Sequence, residues 1–313
     1  EFPDAEARLG QLKYIYILAD NYASVGRNVT SIWEEVKSQA SELIGIVDSA
    51  GLLMEDKAKW EPSFGVEDTQ SRLAASRYIG AYLYLLRGRA SFELAKMGAV
   101  TTPDELLTSA IGDLEKVQTF DSNNVDAYWY MAQAAIEKGE ILASRGSLEE
   151  RDKAAKQASK LLQQAVQVAN DIPKAHINVL THKLMLARKS DPKLMKQQIR
   201  LLEPEYLSLV SRFPSSAEAF ATLSGFYSIC SVYSDRQLGL ANLDKAIDAL
   251  EKAIRLDKNN VEYAINTANL YYRKSSVYGQ KSEMQKAIEI AKSAVEFPDA
   301  EARLGQLKYI YIL

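Results

Sequence analysis

The chain has 313 residues, with 38 lysines and arginines against 41 aspartates and glutamates, and its formal net charge is −3. This balance offers no bulk attraction for nucleic acid or for an anionic membrane surface, so we expect neither as a partner. Glycine (15) and proline (8) are scarce and helix-favouring residues are abundant, which predicts a mostly helical chain. The single cysteine, Cys230, excludes an intramolecular disulfide, and its apolar surroundings predict a small buried side chain.

Hydrophobic periodicity predicts amphipathic helices along most of the chain. Residues 1–101 are predicted to form an irregular helical region, with helices over 5–18, 31–49 and 69–96 and a loop over 57–68. From residue 102 to 313 the pattern is a regular array whose last repeat is truncated. Its predicted helices are 102–119, 123–142, 150–170, 173–190, 192–212, 217–234, 242–257, 260–277 and 281–296. No apolar stretch approaches the ~18 residues that a membrane-spanning helix needs.

Short polar breaks recur between these helices, as in Asp121-Ser-Asn-Asn and Asp257-Lys-Asn-Asn. Just after the breaks an acidic residue stands beside small and aromatic residues, at spacings of 48, 44, 44 and 39. The positions are Asp126, Lys174 (the one exception in charge), Glu218, Glu262 and Glu301. A period of about 20 to 50 residues indicates a stacked array.

The helix before each break carries a small, a bulky and again a small or medium apolar residue. The three sets are Ala110, Leu114 and Val117; Ala158, Leu162 and Ala165; and Ala246, Leu250 and Ala253. Small residues allow the two helices of a hairpin to approach closely.

With these motifs, residues 102–313 and 1–18 resemble the tetratricopeptide repeat (TPR) family. The resemblance implies an all-α fold, a right-handed α-solenoid of stacked antiparallel helix pairs. The usual turn proline is present as Pro214 and Pro298 but is absent from the other turns. The spacings also exceed the family's repeat of about 34 residues, which indicates either long helices or elaborated loops. A second resemblance, to the repeats of bacterial O-antigen ligase-like membrane proteins, implies a cell-surface location, and the residues themselves leave the compartment open.

In the TPR family the first helix of each pair lines a concave surface that binds a protein or peptide. Carried over by position, this resemblance implies the ligand-facing residues Asp126, Trp129, Gln133, Glu218, Ser228, Glu262, Asn269 and Tyr272. The alternative is that the aromatic members pack in the core of the repeats.

The histidines and glycines of the sequence predict neither a metal site nor a catalytic centre. The two histidines, His176 and His182, are six positions apart, so on a helix they point about 240° apart and cannot share a metal. No phosphate-binding glycine loop and no catalytic triad can be assembled from the sequence. We therefore expect a non-enzymatic protein-interaction scaffold that needs no cofactor and no metal.

The two ends of the sequence are identical, because residues 1–18 recur without a change as residues 296–313. We interpret the chain as a piece of a longer protein. The second copy would present an apolar face made of Leu304, Leu307, Ile310 and Leu313. This face could dock on the next chain at the place that the first copy occupies, which predicts a self-assembling structural protein that forms head-to-tail filaments. A tandem array or an arbitrary boundary would explain the repetition equally well.

Overall fold

A computed structural model describes residues 3–24, 28–49, 66–98 and 102–295. Within these ranges every regular element is an α-helix, which confirms the predicted all-α fold. The thirteen described helices are α1 (Pro3–Ser24), α2 (Thr30–Ser49), α3 (Val66–Lys96), α4 (Pro103–Phe120), α5 (Val125–Ser144), α6 (Leu148–Val168), α7 (Pro173–Lys189), α8 (Pro192–Leu201), α9 (Glu203–Arg212), α10 (Ala217–Val232), α11 (Arg236–Leu256), α12 (Val261–Ser276) and α13 (Glu283–Val295).

The chain divides into two compact units, Glu1–Ala23 with Asn28–Asn170 and Ser24–Arg27 with Asp171–Leu313. In the first unit α3 packs against α4 and α5 against α6, while α4 and α3 both contact α5. In the second unit α10 packs against α11 and α12 against α13, α11 contacts α12, and α7 contacts α8, α9 and α10. Each unit is therefore a stack of helix pairs, as the TPR-like pattern predicted. The division predicted after residue 101 stays a prediction.

The polar breaks are turns whose side chains cap the following helix. The Asp121 carboxylate accepts a hydrogen bond from the backbone N–H of Asn123 (3.2 Å) and another from the side chain of Asn124 (3.1 Å). Asp257 accepts the equivalent two bonds at 3.3 and 3.4 Å. Asn124 then accepts from a backbone N–H in the first turn of α5, and Asn260 does the same for α12. These bonds satisfy donors that a helix start leaves unpaired, which fixes where both first helices begin.

The repeating small and bulky residues are buried, and Ala110 and Leu114 of α4 lie against Gly88 of α3. All nine residues of the three predicted sets are at most 2 % exposed. In α5 and α6 the approach also requires Gly139, because a Cβ at this position would lie 2.5 Å from the Cβ of Ala154. Small residues therefore stand where the helices of these two pairs approach closely.

The extra length of the repeats has two sources. α5 has 20 residues and α6 has 21, and the link between Ser144 and Leu148 is short, so the length of this pair lies in its helices. α12 has 16 residues and α13 has 13, and here the extra residues form the link between Ser276 and Glu283. Long helices and longer turns, which the sequence left as alternatives, both occur.

One predicted helix is wrong, because the segment 192–212 consists of two helices. α8 ends at Leu201 and α9 begins at Glu203, with Pro204 in its first turn. Proline has no N–H to donate to the carbonyl four residues earlier, and its ring collides with that turn. The proline therefore ends α8 and starts α9.

We predict that Gly139→Ala destabilises the protein by about 1–3 kcal/mol, although alanine favours helices, because its methyl group would overlap Ala154. The matched control is Gly112→Ala in α4, where nothing lies within 4 Å of a Cβ. This control should raise stability by up to about 1 kcal/mol. Urea unfolding followed by circular dichroism measures both; equal effects at the two glycines would contradict the close approach.

Candidate functional site

The predicted ligand-facing residues all lie on first helices of pairs, namely α5 in the first unit and α10 and α12 in the second. None of the eight is fully buried: Glu218 and Glu262 are exposed, and the other six are half-buried. Their position leaves them accessible on the first helices. We call the surface formed by α3 and α5 in the first unit, and by α10 and α12 in the second, the first-helix face of that unit.

The first-helix face of the first unit is organised around Arg89 of α3. Its guanidinium carbon lies 4.9 Å from the ring centre of Tyr16, 5.5 Å from that of Trp33 and 5.0 Å from that of Tyr130. These rings belong to α1, α2 and α5, so one side chain contacts three other helices. A cation over an aromatic face gains about 0.5–2 kcal/mol, with the larger value where water is excluded. The Arg89 side chain is only 12 % exposed.

Hydrogen bonds fix the same guanidinium toward α1. It donates to the hydroxyl of Tyr16 and to the carboxylate of Asp20, with which it forms an ion pair. Asp20 is itself half exposed (52 %). The positive charge of Arg89 is therefore compensated within the protein.

The other polar groups around Arg89 are neutral hydroxyl donors and carboxylates. Burial raises the pKa of the Tyr16 and Tyr130 hydroxyls, so both stay protonated at neutral pH. The charge of Asp126 acts on both tyrosines in the same direction, which places its carboxylate near them. Burial also raises the pKa of Glu93, one turn beyond Arg89 on α3.

Gln133 shares a stripe of α5 with Asp126 and Tyr130, since the three are spaced four and three positions apart. Its side-chain nitrogen Nε2 is buried and has no hydrogen-bond partner among the described residues, and the same holds for Nε of Arg89. A buried donor without a partner costs about 1–3 kcal/mol. The site therefore holds unused hydrogen-bond donors.

In the second unit a bridge joins the first helices. Arg273 of α12 donates to the hydroxyl of Ser228 (2.7 Å) and to that of Ser231 (2.9 Å), both on α10. Ser228, which the family resemblance implied as ligand-facing, is thus held by an internal contact. Sequence reasoning missed Arg273, because no pattern near it indicates a partner 45 residues earlier.

An acidic edge lies at the start of the same two helices. Burial, followed by the charges of Glu218, Asp257 and Glu262, raises the pKa of Tyr263 to about 12, so these carboxylates lie around one hydroxyl. Glu218 and Glu262 are each in the first turn of their helices, where a negative charge also favours the helix dipole.

The four residues predicted for self-association, Leu304, Leu307, Ile310 and Leu313, lie outside the described residues. Their counterparts in the first copy are described: Leu12 is 0 % exposed, and Leu9, Ile15 and Leu18 are half-buried. Leu12 belongs to the same apolar cluster as Trp33 and Val36 of α2. This eighteen-residue sequence therefore has a helix face that packs on α2.

The described part of the chain contains no group of three or more His, Cys, Asp and Glu residues able to hold a metal ion. His182 is buried, and His176 stacks obliquely on Phe213 at 5.3 Å. Among the described helices, none combines the length and the apolar character that crossing a membrane requires.

Comparison with known proteins gives structural likeness alone, since no family model and no curated protein sequence matches the chain. A thermophilic TPR protein from Thermus thermophilus matches 72 % of this chain and 100 % of its own, with a TM-score of 0.46 and 14 % identity. MamA from Desulfovibrio magneticus RS-1 matches 68 % of this chain and 96 % of its own, with a TM-score of 0.35 and 19 % identity. YrrB, a TPR protein with an unusual peptide-binding site, covers 74 % of this chain and 92 % of its own, with a TM-score of 0.36 and 15 % identity.

We predict that Arg89→Lys destabilises the first unit by about 1–3 kcal/mol, because lysine keeps the charge but loses the planar contact with three rings. The control is Arg145→Lys, whose pair with Asp104 is exposed and should contribute about 0–1 kcal/mol. The tryptophans stand at positions 33, 60 and 129, so their fluorescence during denaturation reports on the part of the chain that contains Arg89. Equal losses in both variants would show that the rings do not hold Arg89.

Proposed function

We propose that the protein is a non-enzymatic scaffold that binds a segment of a partner protein along its first-helix faces. The observation that carries this proposal is the polar stripe of α5 in the first unit, where Asp126, Trp129 and Gln133 are half-buried and share one side of the helix. These three side chains are partly exposed on a first helix, so a peptide laid along this face can contact them directly.

The carboxylates indicate what kind of segment fits. Asp126 in the first unit and Glu218 and Glu262 in the second are all on first helices, and Glu218 and Glu262 are exposed. These faces therefore carry carboxylates that a partner can contact. A segment with lysine or arginine side chains complements them, and half-exposed Trp129 offers a flat ring to an aliphatic or cationic side chain.

We predict that selection of peptides from a display library on the full chain enriches sequences with lysine or arginine. For a selected peptide, Asp126→Asn and Trp129→Ala should each weaken binding about tenfold, as expected when a central contact is removed. Affinity is measured by fluorescence anisotropy at two salt concentrations, and the salt dependence should be smaller for Asp126→Asn.

The matched controls are Gln157→Ala and Gln163→Ala on the exposed side of α6, the second helix of the same pair as α5. They should leave affinity unchanged. Enrichment of acidic peptides, or an equal loss of affinity in the α6 variants, would contradict the proposed binding face. The acidic residues in the first turns would then be explained by the helix dipole alone.

A second candidate function is self-assembly, and one observation favours it. Residues 296–313 repeat the sequence of residues 1–18, and in the first copy that sequence packs its Leu12 face on α2. We propose that the second copy, from another chain, binds the same apolar surface in place of α1. Repetition of this exchange would give head-to-tail assemblies.

We predict that Leu307→Glu abolishes such association, because Leu307 corresponds to Leu12, which is 0 % exposed. The control is Tyr309→Glu, which adds the same charge at the counterpart of Tyr14, a residue that is 63 % exposed. Light scattering over a range of protein concentrations should show assemblies in the parent chain and in the control only. Monomers in all three would exclude this second function without affecting the first.

A further inference from the structure

The second unit contains a cavity of about 140 Å³ between α8 on one side and α10 and α11 on the other. A buried cavity of about 150 Å³ is enough to hold benzene, so this space accommodates a group of about six non-hydrogen atoms. It is too small for a drug-sized ligand, whose pockets have volumes of about 300–1,000 Å³. The size restricts the occupant to one compact chemical group.

The charges that line the cavity do not balance. Lys196 and Arg200 of α8 and Lys245 of α11 face a single carboxylate, Glu203. Glu203 accepts hydrogen bonds from Lys245 (3.1 Å) and from the hydroxyl of Tyr227 (2.8 Å), so its charge is compensated by Lys245. The formal charge that remains at the cavity is that of two cations.

Those two cations are free and point the same way. Lys196 and Arg200 are four positions apart, which places them one turn apart on one side of α8. Neither makes a hydrogen bond or an ion pair with another described residue. Both side chains are exposed and line the cavity, so an anion that enters it is attracted by two positive charges.

Neutral donors complete the lining. Half-buried Tyr233 lines the cavity, and its hydroxyl makes no hydrogen bond with a described residue. The opposite wall is fixed, because Asn242 donates to the hydroxyl of Ser234 (3.2 Å) and that hydroxyl donates to the backbone carbonyl of Cys230 (2.8 Å). The cavity is thus lined by two cations and a hydroxyl without hydrogen-bond partners among the described residues, and by Asn242 and Ser234, which are already hydrogen-bonded.

We infer that this cavity binds a compact oxyanion, a phosphate or a carboxylate group, between Lys196 and Arg200 with the Tyr233 hydroxyl as a further donor. The planar guanidinium of Arg200 can donate two parallel hydrogen bonds to either anion, and Lys196 supplies a point charge. None of these residues is among those named for the first-helix faces, so the site adds a small-molecule ligand to the peptide-binding role and does not depend on it.

Cys230 provides a reporter inside the cavity, because it is the chain's one cysteine and lines the space. Burial raises the pKa of its thiol to about 11, so at pH 8 the thiolate is scarce and alkylation by iodoacetamide is slow. An anion in the cavity covers the thiol and slows the reaction further.

The experiment measures the alkylation rate of Cys230 in the full chain as inorganic phosphate, acetate or succinate is added at constant ionic strength set with chloride. We expect a saturable decrease with at least one of the three anions, and comparison of the three distinguishes phosphate from carboxylate as the preferred group. Calorimetric titration with the same anion gives an independent dissociation constant. A rate that does not differ from that in chloride alone, for all three anions, overturns the inference.

Variants assign the effect to the named residues. Lys196→Gln with Arg200→Gln should weaken binding about tenfold or more, because two charged donors are lost. The control Lys258→Gln with Lys281→Gln removes the same charge from exposed positions of the same unit and should leave binding unchanged. Tyr233→Phe, which removes one hydroxyl only, gives a smaller weakening and serves if the double variant folds poorly. Equal binding by the parent and both cavity variants would also overturn the inference.

Discussion

The separation between the two helices of a pair is the constraint on which the rest of the structure depends. In the first unit α5 and α6 meet at Gly139 and Ala154, and α3 and α4 meet at Gly88, where a Cβ would lie 3.0 Å from Cγ of Leu114. In the second unit α11 meets α10 at Gly239, where a Cβ would lie 2.9 Å from the backbone carbonyl oxygen of Ser231. Helices this close bury their small residues completely and leave longer side chains for the outer positions.

Arg89 shows how a charged residue can belong to such a packed array. Taking a guanidinium out of water is costly unless its charge and its donors find partners. Here Tyr16 and Asp20 accept from it, while three rings cover its faces. The same side chain joins α1, α2, α3 and α5, so the polar site rests on contacts between four helices. Its geometry is consequently more rigid than that of a site on a single helix.

The sequence predicts turns and buried helix positions, which depend on neighbouring residues. It does not predict side-chain contacts between residues that are far apart in the chain. The Asp121 and Asp257 turns and the buried Ala and Leu positions follow from local chemistry and from helical spacing, and both are confirmed. The apolar periodicity of residues 192–212 predicts one helix, but Pro204 in the first turn of α9 divides the segment into two. By contrast, the partners of Arg89 come from positions 16, 20, 33 and 130, and the cavity beside Cys230 is lined by four helices. No spacing in the sequence indicates that these residues meet. The family resemblance implies Asp126, Trp129 and Gln133 as ligand-facing, which stays a prediction, and it implies neither Arg89 nor Arg273.

The hydrogen bonds of Arg273 affect how readily the pair α12–α13 separates from the pair before it. In a stack of helix pairs, stability is the sum of each pair and its interfaces with its neighbours, so terminal pairs detach before inner ones. The bonds from Arg273 to Ser228 and Ser231 cross from the pair α12–α13 to the pair before it. The pair cannot separate from its neighbour without breaking both bonds and exposing a part-buried guanidinium. Arg273 therefore stabilises the interface between the two pairs. Its contacts lower the frequency with which α12 and α13 unfold alone, and they couple the unfolding of one pair to that of the next.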